Sequence, residues 1–179
     1  MYDGKKIVLG LLIFLGILSY PFWHNAISGK MGYVPKPELP KEKKTTLGLY
    51  VTAPQAYEKW KAAPEKVKII DVRTTEEFLF VGHPVMAWSI PSHLQTYEWD
   101  AGQQHFPMKP NPHFVSQVME VATPADTLLV TCRSGGRAAL AVDLLAKAGF
   151  KNVYNITDGV EGDLVDDPGL FVTRQRGPV

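Results

Sequence analysis

The sequence predicts an α/β fold, a parallel β-sheet with helices on both faces, preceded by one transmembrane helix. Residues 67–72 and 127–131 are short runs rich in β-branched side chains, apolar on both faces as buried parallel strands require. Residues 138–148 then switch to helical spacing of their apolar side chains. Strands that alternate with helices predict a parallel sheet, with ligands bound beyond the carboxyl ends of its strands.

Length, charge and cysteine content limit the number of domains and the classes of partner that the sequence allows. The 179 residues provide room for one ordinary domain and a smaller segment beside it. A net charge of +1 gives no electrostatic argument for a nucleic-acid partner. The single cysteine excludes an internal disulfide, so the cysteine count leaves the redox compartment open.

The predicted transmembrane helix rests on an almost unbroken apolar run at residues 7–23, which two lysines precede. At about 1.5 Å per residue this run is about 25 Å long, slightly short of a bilayer core of about 30 Å unless Ala26 and Ile27 join it. We interpret residues 7–27 as an uncleaved single-span membrane anchor. A signal peptide cleaved at small residues is the alternative.

The lysines nearest the span lie on its N-terminal side, which favours an N-terminus inside the cell. The domain would then be periplasmic or otherwise extracytoplasmic, on a single-pass membrane protein. Three prolines between the span and the domain indicate an extended, semi-rigid linker. The predicted organisation is an N-terminal flank at 1–6, the anchor at 7–27, a Pro/Lys-rich linker at 28–45, the domain at 46–163 and a tail at 164–179.

Within the domain, turn and cap signals divide the chain into short elements. The predicted order is strand 49–51, helix 54–62 with Thr52 as N-cap, strand 67–72, strand 87–90, helix 111–121, strand 127–131, helix 138–148 ended by Gly149, and strand 153–156. Residues 94–112 are predicted to form a long aromatic-containing loop, either a pocket wall or a docking surface. The tail is predicted to lack a firm element.

Cys132 lies where a predicted strand ends and a helix begins. Two glycines in residues 132–137 allow successive backbone N–H groups to point inward, which makes an anion cradle. With the helix N-terminus and two arginines beside it, the sulfur is expected to ionise more readily than that of a free cysteine. A lone cysteine is more often a small buried hydrophobe, but the combined features favour a nucleophile here.

The sequence Cys-Arg-Ser-Gly-Gly-Arg at 132–137, followed by Ala-Gly-Phe-Lys-Asn-Val-Tyr-Asn at 148–155, resembles the active-site loop, helix and strand of rhodanese-type sulfurtransferases. Residues 69–91, with Ile-Ile-Asp-Val-Arg, Glu-Phe, Gly-His and Ile-Pro, resemble another segment of that family. The resemblance covers roughly residues 46 to 163. Its six-residue loop is similar to that of the sulfur-handling members, whereas related phosphatases and arsenate reductases have one residue more.

The resemblance implies a sulfurtransferase that moves sulfane sulfur from thiosulfate or a persulfide to a thiophilic acceptor, without a metal or organic cofactor. Its implied site has Cys132 as catalytic nucleophile, a substrate cradle of Arg133, Ser134, Gly135, Gly136 and Arg137, and supporting residues Asp71, Arg73, Glu77 and His83. Asp71 would fix the loop by hydrogen bonds, and Arg73 would pair with Glu77. His83 would support the nearby backbone.

The main alternative is a membrane-anchored subunit or docking module of a larger membrane complex, with little turnover of its own. Its partners would be the lipid bilayer, through the N-terminal helix, and a membrane-complex protein. Phosphatase or arsenate reductase activity is a more distant alternative because of the loop length. The histidines at 93, 105 and 113 lack a recognisable metal-ligand spacing.

Overall fold

A computed structural model describes residues 38–162 and the backbone of two short strands beyond them, at 164–165 and 175–176. The strands are β1 Tyr50–Val51, β2 Val67–Asp71, β3 Ala87–Ser89, β4 His93–Gln95, β5 Met108–Pro110, β6 Thr127–Thr131, β7 Val153–Ile156, β8 Leu164–Val165 and β9 Gln175–Arg176. The helices are α1 Ala53–Ala62, α2 Thr75–Val81, α3 Phe114–Val121 and α4 Gly136–Lys147, and a 3₁₀ turn spans Lys41–Lys43.

Five of these strands form a parallel sheet in the order β1-β7-β6-β2-β3. Asp71, the last residue of β2, is in register with Thr131 on one side and Ser89 on the other. The carboxyl ends of β2, β3 and β6 therefore meet at one edge, where the functional residues were expected. The predicted parallel α/β fold is confirmed.

The two faces of β6 belong to separate parts of the core. Leu128, Val130 and Cys132 face a cluster with Phe114 of α3 and Leu145 of α4. Leu129 instead packs into a second cluster, which includes a residue of α1 and several of the neighbouring strands. Burial of each large apolar side chain contributes about 1.5–3 kcal/mol, so both faces hold the strand.

Helix α1 begins at the predicted cap. The hydroxyl of Thr52 accepts a hydrogen bond from the backbone N–H of Gln55, and the Gln55 side chain accepts one from the N–H of Thr52. Thr74 and Glu77 form the same reciprocal box at the start of α2. Such boxes satisfy backbone donors that a helix start leaves unpaired.

Gly149 ends α4 as predicted. Its φ of 97° lies in the left-handed region, and its N–H donates to the carbonyl of Ala146 at 3.0 Å. Glycine pays no Cβ penalty in this conformation. The chain can therefore turn directly from α4 into β7.

The structure corrects the predicted start of the helix at 111–121, because α3 begins at Phe114. Asn111 instead forms the turn before it: its side-chain N–H donates to the Pro91 carbonyl at 2.8 Å, and its side-chain oxygen accepts from the N–H of His113 at 3.0 Å. Asparagine side chains commonly compete with helical backbone bonds in this way.

Two predictions of irregular structure are also wrong. Residues 94–112 contain most of an antiparallel ribbon, in which His93 pairs with Pro110 and Gln95 with Met108. We call residues 93–110 the β4–β5 ribbon. In the tail, β8 and β9 pair antiparallel, with Leu164 opposite Arg176.

In the part of the chain that the structure describes, no helix is long and apolar enough to cross a membrane. The predicted flank and anchor at residues 1–27, and the linker as far as residue 37, lie outside this part.

Candidate active site

Cys132 follows directly on β6, at the carboxyl edge of the sheet. Three residues of loop then lead to Gly136, the first residue of α4. The backbone N–H of Gly135 donates to the Cys132 Sγ at 3.1 Å. An oriented N–H donor near a helix N-terminus stabilises negative charge on that sulfur.

The loop lies against the segment that follows β7. The N–H groups of Val160 and Glu161 donate to the carbonyls of Cys132 and Arg133 at 3.0 and 3.1 Å. Gly159 has a φ of 64°, and a Cβ there would lie 2.5 Å from the Arg133 carbonyl oxygen. Only glycine permits this close approach of two backbones.

Gly135 makes a second close approach. Its φ is 93°, and a Cβ at this position would lie 2.5 Å from the carbonyl oxygen of Thr157. The loop around Cys132 is thus supported by backbone on one side and by the first turn of α4 on the other. The Gly135 N–H that donates to the sulfur is therefore held in place by the fold.

Arg137 lies on the first turn of α4 and donates to both carboxylate oxygens of Glu77, each at 2.6 Å. Burial alone would raise the pKa of Glu77, but hydrogen bonds from Arg137 and from the Thr74 backbone, with the charges of Arg137 and Arg73, bring the pKa below its usual value. The pair joins α4 to the start of α2 beside the cysteine loop.

The electrostatics of Arg137 also involve the cysteine. Burial would lower the pKa of Arg137, but the hydrogen bond and charge of Glu77 raise it, with further contributions from Cys132 and Asp71. Arg137 is therefore a permanently charged group whose field includes the sulfur.

Asp71 and Arg73 form a buried ion pair, with the two residues 0% and 1% exposed. The guanidinium Nη2 lies 2.7 Å from the Asp71 carboxylate and also donates to the Gly82 carbonyl at 2.7 Å. The predicted Arg73–Glu77 pair is thus replaced by Arg73–Asp71 and Arg137–Glu77. Among residues 38–162, the Asp71 carboxylate bonds to Arg73, not to the cysteine loop.

The other predicted site residues lie around the cysteine loop and these two ion pairs. His83 is exposed, stacks on the ring of Phe78 at 3.5 Å between centroids, and has its Nδ1 2.9 Å from the Phe78 carbonyl oxygen. Arg133 has a side chain 56% exposed, 3.8 Å from the Glu161 carboxylate. Ser134 is half-buried in the loop.

The β4–β5 ribbon contributes two residues that the sequence interpretation did not assign to the site. The sulfur of Met108 lies 3.6 Å from the Arg137 guanidinium. Burial, with repulsion from the charge of Arg137, lowers the pKa of His93. Neither residue forms part of a recognisable motif, and both approach the site only because the ribbon folds back over it.

The aromatic residues of the ribbon remain largely in solvent. Tyr97, Trp99 and Phe106 are 77%, 56% and 49% exposed. Trp99 packs edge-on against Phe106 at 5.1 Å, and the Tyr97 hydroxyl donates to the Glu76 carboxylate next to Glu77.

The cysteine, by contrast, is almost fully buried, because Cys132 is 1% exposed.

Potential metal ligands do not gather around this site. Among the residues that the structure describes, no group of three or more His, Cys, Asp or Glu side chains has the proximity needed to hold a metal ion.

The model of the rhodanese-like domain family matches residues 53–163. This range includes four of the five strands of the parallel sheet, the cysteine loop and the backbone after β7 that supports the loop, and it is more than half of the chain. The protein therefore belongs to the family of rhodanese-like domains.

Its relatives include sulfurtransferases. Thiosulfate sulfurtransferase 18 of Arabidopsis thaliana is 37% identical over 92 residues, which are 50% of this chain and 61% of that protein. Thiosulfate sulfurtransferase 16, chloroplastic, of the same plant is 36% identical over 92 residues, 51% of this chain and 69% of that protein.

The senescence-associated protein DIN1 of Raphanus sativus is 36% identical over 92 residues, 51% of this chain and 45% of that protein. The chain thus spans less than half the length of this relative. Among solved structures, that of Rv0390 from M. tuberculosis is similar with a TM-score of 0.48 and 24% identity, over 64% of this chain and 81% of that one.

Proposed function

We propose that the protein is a sulfurtransferase that carries sulfane sulfur as a persulfide on Cys132. The observation that carries this proposal is the Gly135 N–H at 3.1 Å from the Cys132 Sγ, within a six-residue loop between strand and helix. The family and its relatives named thiosulfate sulfurtransferase support the same chemistry.

In the first step, the Cys132 thiolate attacks the outer sulfur of thiosulfate. A sulfur–sulfur bond forms to Cys132, the bond within thiosulfate breaks, and sulfite leaves with the bonding electron pair. The enzyme then holds Cys132–S–S⁻, and no proton or external redox agent is needed. The Gly135 N–H, 3.1 Å from the Cys132 Sγ, supports this step, and the other backbone N–H groups of the loop would stabilise the charge on the outer sulfur.

In the second step, a nucleophile attacks the outer sulfur of the persulfide. Attack by cyanide would give thiocyanate, and attack by a thiolate acceptor would give a persulfide of that acceptor. In both cases the Cys132 thiolate is the leaving group and is regenerated. A low-molecular-weight persulfide can replace thiosulfate as donor in the first step. Because both steps are displacements at sulfur, the proposed cycle requires no metal or organic cofactor.

The two arginines of the loop have different proposed roles. Both terminal nitrogens of Arg137 bond to Glu77, so Arg137 holds the loop against α2. Arg133, with its side chain 56% exposed, is the residue we assign to attract an anionic donor. Asp71, Arg73 and His83 act by fixing the backbone around the site.

We further propose that residues 7–27 anchor the protein in a membrane as a single span, with the domain on the extracytoplasmic side. The apolar run and the lysines that precede it support this arrangement. The part of the Pro/Lys-rich linker that precedes the 3₁₀ turn, residues 28–40, would separate the sulfurtransferase domain from the lipid headgroups. Lys43 itself lies against the domain, since its carbonyl accepts from the Asn155 side chain at 2.9 Å.

A second candidate is a membrane-anchored docking module with little turnover, which joins a larger membrane complex. One observation favours it: Cys132 is 1% exposed, whereas Tyr97 and Trp99 of the neighbouring ribbon are 77% and 56% exposed. A partner that uses those aromatic rings would not need the sulfur. The two candidates differ in whether Cys132 reacts.

The test is the intact mass of the full chain in detergent after brief incubation with thiosulfate and removal of the reagent. We expect a gain of one sulfur atom that cyanide reverses and that Cys132→Ser abolishes. A folded protein with a reduced thiol that gains no sulfur from thiosulfate or from glutathione persulfide would contradict the relay and favour the docking module.

A further inference from the structure

His93 lies at the carboxyl edge of the sheet, close to the strand that leads into Cys132. The Val72 N–H, directly after β2, donates to the Thr131 carbonyl of β6 at 2.9 Å, and the Ser92 N–H donates to the Val72 carbonyl at 3.1 Å. Two hydrogen-bonded steps across the sheet thus join the residue before Cys132 to the residue before His93. Because neighbouring strands lie about 4.8 Å apart, these two backbones are about 10 Å apart.

The side chain of His93 lies on the face of the β4–β5 ribbon that is turned toward α4. The ribbon pairs are His93 with Pro110 and Gln95 with Met108. Partners in antiparallel strands share a face, and so do residues two apart, so His93 and Met108 lie on the same face. The Met108 sulfur lies 3.6 Å from the guanidinium of Arg137. His93 is therefore on the ribbon face that covers Arg137, at the end of the cysteine loop.

Hydrogen bonds determine which ring nitrogen of His93 carries the proton. The hydroxyl of Ser92, a residue 2% exposed, donates its single proton to the Val72 carbonyl at 3.3 Å and lies 3.0 Å from the His93 Nδ1. Nδ1 is then the donor to that hydroxyl, which leaves a lone pair on Nε2. Burial, with the charge of Arg137, lowers the pKa of His93 from its usual 6.5, so the ring is mostly neutral at pH 7.

The charged groups around His93 come from two helices and the cysteine loop. Arg137 of α4 acts on it directly, and Glu77 of α2 bonds to both terminal nitrogens of Arg137 and so offsets part of its charge. Cys132 lies in the field of the same arginine. Lys109 lies on the opposite face of the ribbon. Negative charge on the cysteine sulfur would stabilise the imidazolium that forms when His93 takes a proton.

The carboxylates beside the loop are unsuited to take a proton from a thiol. Glu77 is held by Arg137, and its pKa is lowered. Asp71 is 0% exposed and bonded to Arg73. A general base works best when its pKa is near the operating pH, which a neutral imidazole satisfies better than an ion-paired carboxylate.

We propose that His93 is the base that takes the proton from the acceptor in the second half of the sulfur transfer, and that the acceptor is a thiol that arrives protonated. This inference rests on the sulfurtransferase function proposed above. As the acceptor sulfur attacks the outer sulfur of the persulfide, its proton passes to the His93 Nε2. A sulfur–sulfur bond forms to the acceptor, and the Cys132 thiolate leaves with the bonding electron pair. The imidazolium then releases its proton to water, so no oxidant or reductant is needed.

The spacing between His93 and the cysteine suits this step. A sulfur–sulfur bond of about 2.05 Å, an attack distance of about 3–3.5 Å and a hydrogen bond of about 3 Å together span about 8–9 Å from the Sγ to the base. The sheet sets a similar separation of about 10 Å between the two backbones. His93 can thus reach an acceptor thiol without contact with the Cys132 sulfur.

The test loads the full chain in detergent with sulfur from thiosulfate and follows its discharge by intact mass with two acceptors. Glutathione has a cysteine thiol, with a pKa of about 8.5, that must lose a proton, whereas sulfite attacks as an anion. His93→Gln keeps a hydrogen-bonding side chain but has no basic nitrogen. It should slow discharge by glutathione about tenfold to thirtyfold at pH 7, because only a few per cent of such a thiol is ionised there. Discharge by sulfite should be unchanged.

The pH dependence separates a base from a structural role. For the wild type, the glutathione rate should be level near pH 7 and fall as the pH drops through the pKa of His93, which lies below 6.5. For His93→Gln, the rate should rise about tenfold per pH unit with the thiolate, up to about pH 8.5. The difference between the two proteins should therefore shrink as the pH rises to about 8.5.

Two further variants control for folding and for the loss of a histidine. His93→Asn, whose amide nitrogen can replace Nδ1 at the Ser92 hydroxyl, should behave as His93→Gln does. His105→Gln removes a histidine from the exposed end of the same ribbon and should match the wild type with both acceptors.

Three results would overturn the proposal. They are a wild-type glutathione rate in the His93 variants, equal slowing with glutathione and sulfite, and a loss that stays the same up to about pH 8.5. A wild type that gains and discharges sulfur, with His93 variants that do so equally well, overturns this inference alone. A wild type that never gains sulfur overturns the proposed sulfurtransferase as well.

Discussion

At the scale of single residues, two glycines control how closely the cysteine loop can approach its support. Gly135 and Gly159 each leave space that a Cβ would fill at 2.5 Å from a carbonyl oxygen. Both also have positive φ angles. The shape of the loop therefore depends on the lack of a Cβ at these two glycines, as well as on the sulfur and the neighbouring charges.

Gly159→Ala should destabilise the fold more than an alanine at another glycine of the same conformation. Gly159 and Gly48 both have φ of 64°, but a Cβ at Gly48 meets nothing within 4 Å. Gly48→Ala should cost about 1 kcal/mol, from backbone conformation alone. Gly159→Ala should cost about 3 kcal/mol or more, because the Arg133 carbonyl must also move.

Urea unfolding of the two variants checks this difference, and alkylation of Cys132 provides a second readout. The Gly159 variant should also change the alkylation rate, since its new methyl displaces the loop, whereas Gly48→Ala should not. Equal losses of unfolding free energy in the two variants would show that the close approach contributes nothing.

Single residues could be predicted from sequence where the signal is local. Thr52 is predicted as a cap because threonine favours that position and a proline follows near the helix start. The structure confirms the cap and adds Gln55, three residues further on, as its reciprocal partner. The pairing of Arg73 could not be found in the same way, since Asp71, Glu77 and the Gly82 carbonyl all lie within reach along the chain. The structure shows that Arg73 pairs with Asp71, with which it is buried, and also donates to the Gly82 carbonyl.

At the scale of secondary-structure elements, Glu77 joins two helices. It closes the capping box of α2 by accepting from the Thr74 N–H at 3.1 Å, and it accepts from Arg137 of α4 at 2.6 Å. One carboxylate thus completes a helix start and fixes the helix that presents the cysteine loop. Its charge should matter more than that of a surface glutamate.

Glu77→Gln should lower the free energy of unfolding by about 1–2 kcal/mol at neutral pH. The pKa of Glu77 is lowered from its usual 4.5 in the folded state, so its ionised form favours folding. This contribution is fully present above pH about 4.5 and is lost as the pH falls through the folded-state pKa. The difference between wild type and variant should therefore shrink in acid.

Urea unfolding at a series of pH values between about 7 and 3 measures this difference. Glu58→Gln, on the exposed surface of α1, removes the same charge and serves as the control. A Glu77→Gln difference that stays constant through the acid range, or that matches the control, would contradict the role of the carboxylate.

Helices and strands could be predicted from the sequence where the apolar pattern and the turn residues indicated the same boundaries. Strand β6 and its helix were evident from the apolar run before Cys132 and the helical spacing after it. The β4–β5 ribbon was not, because proline ends β5 and glutamine ends β4, and neither residue type favours a strand. The backbone bonds of the ribbon, such as the Thr96 N–H to the Pro107 carbonyl at 2.9 Å, have no signature in local composition.

At the scale of the whole molecule, the apolar N-terminal segment should determine where the protein resides. The proposed anchor at 7–27 is about 30 Å long as a helix, which matches the hydrocarbon core of a bilayer. We expect the full chain to stay with membranes after an alkaline carbonate wash. The N-terminal peptide should still be present in its mass spectrum.

Deletion of residues 1–27 should release the domain into the soluble fraction with its secondary structure intact by circular dichroism. Replacement of the run by a second, unrelated apolar span should restore membrane retention. A full chain that is washed from the membrane, or one whose N-terminus has been removed after a small residue, would contradict the anchor.

The order of strands in the sheet has a consequence for how the domain forms as it is synthesised. Tyr50 of β1 is in register with Asn155 of β7, and the two strands come from nearly opposite ends of the domain. A ribosome releases β1 long before its partner exists, so this edge of the sheet cannot close until almost the whole domain has emerged. The β1–β7 edge is therefore the last part of the sheet to form, after the β2–β3 and β2–β6 pairs have all of their residues available.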